Sequence, residues 1–211
     1  VGQWALHLFS KKQMDLNWDN PALRAEVADI VNWWLDKGVD GFRMDVINYI
    51  SKATLADGSV PVGNLMGFTG IEHYFYGPHL HEYLHELREA AFAPHKAIMV
   101  GETPGVGLEM AKQLTARERG VLDMVFNFDQ LETPGHTRFD DYVYDLRYLR
   151  EYYVKWMQGM PDNCRMSIFW DNHDNPRMLG KIDPAGQHRA PLAKLLAVLQ
   201  LTLKGTPFLY Q

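Results

Sequence analysis

Apolar residues along this chain switch repeatedly between a helical and a strand-like spacing. Asn20-Pro21 reads as an N-cap followed by proline at the first helical position. From there to Asp36, residues Leu23, Val27, Ile30, Val31, Trp34 and Leu35 fall on one broad face, and Gly38 ends the helix. The run Val39 to Met44 follows as a short strand. A helix near His79 to Phe92 leads to the strand Ala97 to Gly101, and a helix near Leu108 to Arg119 leads to Asp123 to Phe128. A helix near Tyr142 to Met157 leads to Met166 to Trp170, and one near Pro191 to Leu203 leads to Thr206 to Tyr210. The segment from Val46 to Pro78 has five glycines, several aromatics and no clear period, so it reads as a long loop.

Five strands, each preceded by a helix, imply a parallel sheet with covered strands and hence an α/β protein. A doubly wound open sheet that binds dinucleotides should carry a glycine fingerprint after its first strand. The stretch Gly101-Glu102-Thr103-Pro104-Gly105-Val106-Gly107 lacks that spacing, and P-loop spacing is absent as well. The competing architecture is a (β/α)8 TIM barrel. The strands are too unevenly spaced for a solenoid repeat.

Composition narrows the class. The 211 residues carry 21 basic and 26 acidic side chains, a net charge of −5, with a pI near 6.0. That balance argues against nucleic acid as a partner. Hydrophobic residues make up 46% and aromatics 12%, which fits a packed globular domain rather than a disordered one. Cys164 stands alone, so no intrachain disulfide or multi-cysteine zinc site is expected. No apolar stretch approaches the 18 residues of a transmembrane helix. The chain starts at Val1 and stops at Gln211 after an apolar run, and both ends read as cuts.

A barrel places catalytic groups at the carboxyl ends of several strands. Asp45 follows the first strand, Glu102 closes the second, and Asp174 lies four residues past Trp170. For a single acid the plainer explanation is a cap or loop residue; three acids at three strand ends exceed scatter. Arg43 and Asp45 are two apart and share a strand face, so the arginine keeps that carboxylate ionised. The plainer explanation there is a structural ion pair. An ionised, oriented carboxylate is what a glycoside nucleophile requires. A general acid such as Glu102 needs the opposite, a raised pKa from burial or a nearby anion. Asp174 and His173 can hold sugar hydroxyls, and Asp174 can stabilise positive charge at the anomeric carbon.

Four motifs now carry a resemblance. Asp40-Gly41-Phe42-Arg43-Met44-Asp45-Val46-Ile47-Asn48 resembles the nucleophile-bearing strand of the alpha-amylase superfamily of glycoside hydrolases. Ile98-Met99-Val100-Gly101-Glu102-Thr103-Pro104-Gly105 resembles its acid/base strand, and Phe169-Trp170-Asp171-Asn172-His173-Asp174-Asn175-Pro176-Arg177 its third acidic motif. Gly205-Thr206-Pro207-Phe208-Leu209-Tyr210-Gln211 resembles its eighth strand. His7 to Trp18 is similar to the segment where the small B domain of the oligo-1,6-glucosidase and alpha-glucosidase branch returns to the barrel. The resemblance implies Asp45 as nucleophile, Glu102 as acid/base and Asp174 as transition-state stabiliser. It places Arg43 and His173 in the sugar-binding shell; Val46, Phe128 and Arg177 are further candidate substrate contacts. It implies a retaining mechanism, with roughly 5–5.5 Å between the Asp45 and Glu102 carboxyl groups.

Within that branch, a valine directly after the nucleophile goes with α-1,6 bonds, and a small polar residue or alanine with α-1,4 bonds. The same valine also suits trehalose-6-phosphate hydrolases. Phosphate recognition would want basic residues, and only Lys11-Lys12 form an evident cluster, so the phosphorylated substrate ranks second. Alpha-1,4-glucosidase and sucrose isomerase are the other neighbours. After Arg177 the branch usually continues towards a second arginine and a glycine; here Lys181 takes that place, so the outer subsite should differ. The family's earlier strands, with a further Asp and His and the calcium-binding loop, are expected ahead of Val1.

Other signals compete. His81-Glu82-Tyr83-Leu84-His85 matches H-E-x-x-H, the zinc metalloprotease pattern, with His73 and His79 nearby. The plainer expectation is a solvated helix face, with Tyr83, Leu84 and Leu87 packed inward. Trp33, Trp34, Phe126, Phe128, Tyr152, Tyr153 and Trp156 read mostly as core, while Phe128 and Tyr74-Phe75-Tyr76 are also candidates to meet a sugar. Leu192 to Leu203 reads as a buried barrel helix, and Cys164 as a loop residue without a base beside it. A binding or chaperone-like relative would generally lack part of the acid set, whereas all three acids stand here.

The expected organisation is residues 1–20 as the end of an inserted B domain and 21–211 as about strands four to eight of a partial barrel. The expected partner is a small oligosaccharide or disaccharide, with no nucleic acid, no membrane, no metal ligands and no cofactor. A cytoplasmic monomer is favoured. The 211 residues alone are expected to be inactive, because an open arc leaves an unpaired edge.

Overall fold

The computed structural model describes residues 4–118 and 120–210, which divide into two compact units, up to Gly101 and from Glu102. In the first unit, helix α1 (Pro21–Leu35) starts where the Asn20 side chain accepts from the Ala22 backbone N–H at 3.0 Å. Gly38, at φ +92°, turns the chain after it. Ala28 and Leu35 are the buried residues of this helix. Ile30, Trp33 and Trp34 are largely exposed, which corrects the expectation that they are core. Trp33 is covered in part by Lys37, whose Nζ lies 4.2 Å from its ring.

Strand β1 (Gly41–Met44) pairs in parallel with β2 (Ile98–Glu102), in the register Gly41 to Ile98 and Met44 to Gly101. The stretch between them is more ordered than a loop. It holds a 3-10 turn (Ile47–Tyr49) and helices α2 (Val60–Met66) and α3 (Ile71–Tyr74). Gly67 and Gly70 adopt left-handed conformations that bracket the α2–α3 corner. Tyr49, Ile71 and Tyr74 form a buried cluster here, with Leu8, Val46, Val62, Phe68 and Phe75 packed against it. Helix α4 (Leu80–Leu87) buries Leu80, Tyr83, Leu84 and Leu87. It widens into a π turn (Arg88–Phe92) and ends in α5 (Ala93–His95). The Ala90 carbonyl accepts from Asn32 of α1 at 3.1 Å.

In the second unit, α6 (Leu108–Thr115) precedes β3 (Met124–Phe126), and α7 (Leu146–Gly159) precedes β4 (Ser167–Ile168). Helices α8 (Met178–Ile182) and α9 (Arg189–Thr202) then lead to β5 (Thr206–Pro207). The end of the predicted helix at Arg119 lies outside the described residues. Val125 bridges Met166 in parallel, and β4 pairs in parallel with β5. Proline is tolerated in β5 because the flanking N–H groups do the pairing. Thr206 donates to the Met166 carbonyl at 2.8 Å and Phe208 to that of Ile168 at 2.9 Å. The strands are shorter than the apolar runs that predict them. Tyr152, Tyr153 and Trp156 of α7 are buried as expected.

Helix α9 departs from its expectation. Leu196 and Gln200 are its buried residues, while Leu195, Val198 and Leu201 are exposed. Among the described residues no helix is long and apolar enough to cross a membrane.

Candidate active site

The candidate residues stand at strand ends or in the turns that follow them, and backbone geometry puts them there. Gly41 faces Ile98 so closely that a Cβ would lie 2.3 Å from the Ile98 carbonyl oxygen. The missing side chain lets β1 lie against β2, and β1 then delivers Arg43 and Asp45 from one face. The Arg43 guanidinium and the Asp45 carboxylate form a close ion pair. The Asp45 side chain is 74% exposed within its unit, a carboxylate presented rather than buried. The chain then turns sharply. Val46 sits in the left-handed region at φ +42°, ψ +39°, rare for a β-branched residue. Its side chain packs on the Tyr49, Ile71 and Tyr74 cluster, and its carbonyl accepts from the Tyr49 N–H to begin the 3-10 turn.

Glu102 is the last residue of β2 and is buried, 4% exposed. Thr103 beside it donates its backbone N–H to the Phe126 carbonyl at 2.8 Å, which extends the pairing past the strand end. Within the same unit, the turn after β4 carries Asp174. The Asn172 side-chain oxygen accepts from the Asp174 backbone N–H at 2.9 Å and from the Asn175 amide at 2.7 Å. His173 lies 3.0 Å from the Asp174 carboxylate, and both side chains are well exposed.

Arg177 has structural partners. It donates to the Tyr210 carbonyl at 2.7 Å, lies over the Tyr210 ring and reaches Asp171 at 3.4 Å. It thus ties the turn after β4 to the segment after β5. Phe128 is half-buried and meets Phe169 edge-on at 6.2 Å. Phe126 is wedged edge-on between Phe169 and Phe208.

The H-E-x-x-H pattern has a different explanation. His85 is exposed, while His81 is half-buried and its Nε2 lies 2.6 Å from the Tyr76 hydroxyl. Burial pushes the Tyr76 phenol up to about 12 and lowers the His81 pKa. A protonated phenol then donates to a neutral imidazole. This corrects the expectation that the polar face is solvated throughout. Among the described residues no group of three His, Cys, Asp or Glu side chains is placed to hold a metal ion.

The sequence profile described as alpha amylase, catalytic domain, matches residues 1–211. The chain belongs to the alpha-amylase family. It is 42% identical to the oligo-1,6-glucosidase of Halalkalibacterium halodurans over its whole length, and covers 38% of that protein. It is 39% identical to the trehalose-6-phosphate hydrolase of Escherichia coli, with 99% of the chain and 37% of that protein covered. The crystal structure of Bacillus licheniformis trehalose-6-phosphate hydrolase matches 98% of this chain and 37% of its own, with TM-score 0.84 and 34% identity. The TIM-barrel fold of the alpha-amylase family therefore extends over the chain, which spans less than two-fifths of the length of these relatives.

One contact beside the candidate site escapes motif reading. The segment between β3 and α7 folds back onto the Asp174 turn and brings Arg138 to Asn175 at 3.4 Å. No local pattern announces Arg138. Only Lys181, the departure from the branch, hints that this region is built differently.

Proposed function

We propose that the protein carrying this chain is a retaining α-glucosidase that cleaves terminal α-1,6 bonds in isomalto-oligosaccharides. The observation that carries the reading is the placement of Asp45 directly after β1, Glu102 at the end of β2 and Asp174 in the turn after β4. In this reading residues 21–211 supply about strands four to eight of the barrel, and residues 1–20 the return from the inserted B domain. Asp45, kept anionic by Arg43, attacks the anomeric carbon while Glu102 protonates the departing glycosidic oxygen. Burial of Glu102 suits a carboxyl group that must start protonated. A glucosyl-Asp45 ester results. Glu102 then takes a proton from water, the water oxygen attacks the anomeric carbon, and glucose leaves with its configuration retained. Asp174 and His173 hold sugar hydroxyls, and Asp174 stabilises the oxocarbenium-like charge that develops in the transition state of each step. In this reading the reacting groups are carboxylates, and no metal or cofactor takes part in the two steps.

A second reading, trehalose-6-phosphate hydrolysis, is supported by the 39% identity to the Escherichia coli enzyme. The test is Asp45→Asn in a full-length protein carrying this chain, assayed on isomaltose, maltose and trehalose-6-phosphate. Loss of turnover in the variant supports the assignment, and the preferred substrate of the unaltered protein selects between the readings. Undiminished turnover in Asp45→Asn overturns it.

A further inference from the structure

We propose that Arg138 is a specificity-determining residue that holds the leaving-group sugar, and that Lys181 positions it. The inference rests on the glycosidase reading above and assigns the acceptor side of that site. Arg138 is a third exposed, and its guanidinium donates to the Asn175 side chain at 3.4 Å. Asn175 in turn bonds Asn172, the residue that fixes the Asp174 backbone. The same guanidinium lies 5.9 Å from the Phe128 ring and 5.4 Å from that of Phe139. An aromatic face beside a fork of N–H donors is a surface for a sugar: the ring takes its C–H face, and the donors take its hydroxyls. Among the described residues, one acceptor within hydrogen-bond range meets the five guanidinium N–H groups, so donors remain for a ligand.

The loop that carries Arg138 is held in one shape. Lys181 donates to the Arg138 carbonyl at 2.6 Å, and its Nζ lies 4.5 Å from the Tyr142 ring. The Tyr142 ring also stacks with His136 at 4.1 Å, and its hydroxyl accepts from the Thr133 N–H at 3.0 Å. The Tyr144 N–H donates back to the Lys181 carbonyl. Lys181 therefore fixes the backbone from which Arg138 projects.

Charge selects the ligand. Residues 129–145 carry five carboxylates against one arginine, and Glu132 lies 4.0 Å from the Arg138 guanidinium. Such a field suits neutral hydroxyls better than a phosphate dianion. The leaving group assigned here is an unphosphorylated sugar.

The experiment uses a full-length protein carrying this chain, with Arg138→Ala, Lys181→Met and Lys181→Arg, on isomaltose, trehalose-6-phosphate and α-glucosyl fluoride. Fluoride leaves without a sugar, so it reports the glucose side alone. Arg138→Ala is expected to lose about tenfold or more in kcat/KM on isomaltose beyond its loss on the fluoride, mostly through KM. Lys181→Met should reproduce that imbalance, and Lys181→Arg should restore it. Equal losses on isomaltose and the fluoride overturn the proposal, as does a loss confined to trehalose-6-phosphate, which would assign Arg138 to phosphate. If the unaltered protein turns over none of the three, the glycosidase reading itself has failed.

Discussion

Replacing Gly41 with alanine tests the link between strand packing and Asp45, the proposed nucleophile. The added Cβ would sit 2.3 Å from the Ile98 carbonyl oxygen, 2.8 Å from its nitrogen and 2.9 Å from its carbonyl carbon. All three are backbone atoms that cannot swing aside. To reach 3.0 Å, the shortest approach that Cβ atoms show, β1 must retreat by about 0.7 Å. The bond from the Ile98 N–H to the Asp40 carbonyl, now 2.9 Å, then stretches out of range. Overpacking of this kind costs about 1–3 kcal/mol, and one backbone hydrogen bond adds about 0.5–1.5 kcal/mol. The expected loss of stability is therefore about 1.5–4.5 kcal/mol. Asp45 moves with the strand, and displacements near 1 Å cost roughly 100-fold in rate, so kcat/KM should fall about 10–100-fold. Chemical denaturation and steady-state kinetics on the full-length protein measure both. Gly180→Ala is the control: its Cβ meets nothing within 4 Å inside α8, and it should stabilise by about 0.5–1 kcal/mol. Unchanged stability and rate in Gly41→Ala would refute the reasoning, as would an equal loss in the control.

Two further outcomes follow from buried polar groups. Gln200 donates its amide to the carbonyls of Ile168 at 3.1 Å and Phe208 at 2.5 Å, which joins α9 to the backbone at β4 and just past β5. Gln200→Leu keeps the volume and removes both bonds, and denaturant titration should show a loss of about 1–3 kcal/mol. Burial lowers the His81 pKa below its ordinary 6.5. Between the lowered folded value and 6.5 the unfolded chain binds more protons, so stability rises with pH in that window, is complete above it and is lost as pH falls. His81→Gln should flatten the slope of stability between pH 5 and 7; an unchanged slope would show that another group sets it.

Long elements were legible because many residues vote on one period. Helix α1 begins at Pro21 as Asn20-Pro21 predicts, and α7 buries the three aromatics assigned to it. The short elements between Val46 and Pro78 were not legible. Helices of four and seven residues are too short to establish a period, and glycine turns with a tyrosine cluster hold them in place. Apolar content misled at Trp33, Trp34, Val198 and Leu201, because periodicity gives a face its character without naming what covers it. The positions of Asp45 and Glu102 at strand ends were readable because strand ends can be counted in the sequence. Arg138 was not, since its approach to Asn175 depends on how a loop folds back.

Val46 bears on how this site can change. A left-handed β-branched residue stores about 1–2 kcal/mol of backbone strain, which Gly would release and Asn would reduce. Its side chain is also anchored in the tyrosine cluster. An exchange at this position therefore acts twice, once on the wall beside the proposed nucleophile and once on the peptide that turns the chain after it. Swapping this residue alone would move both together, so partners in the 3-10 turn and the Tyr49 cluster would have to travel with it.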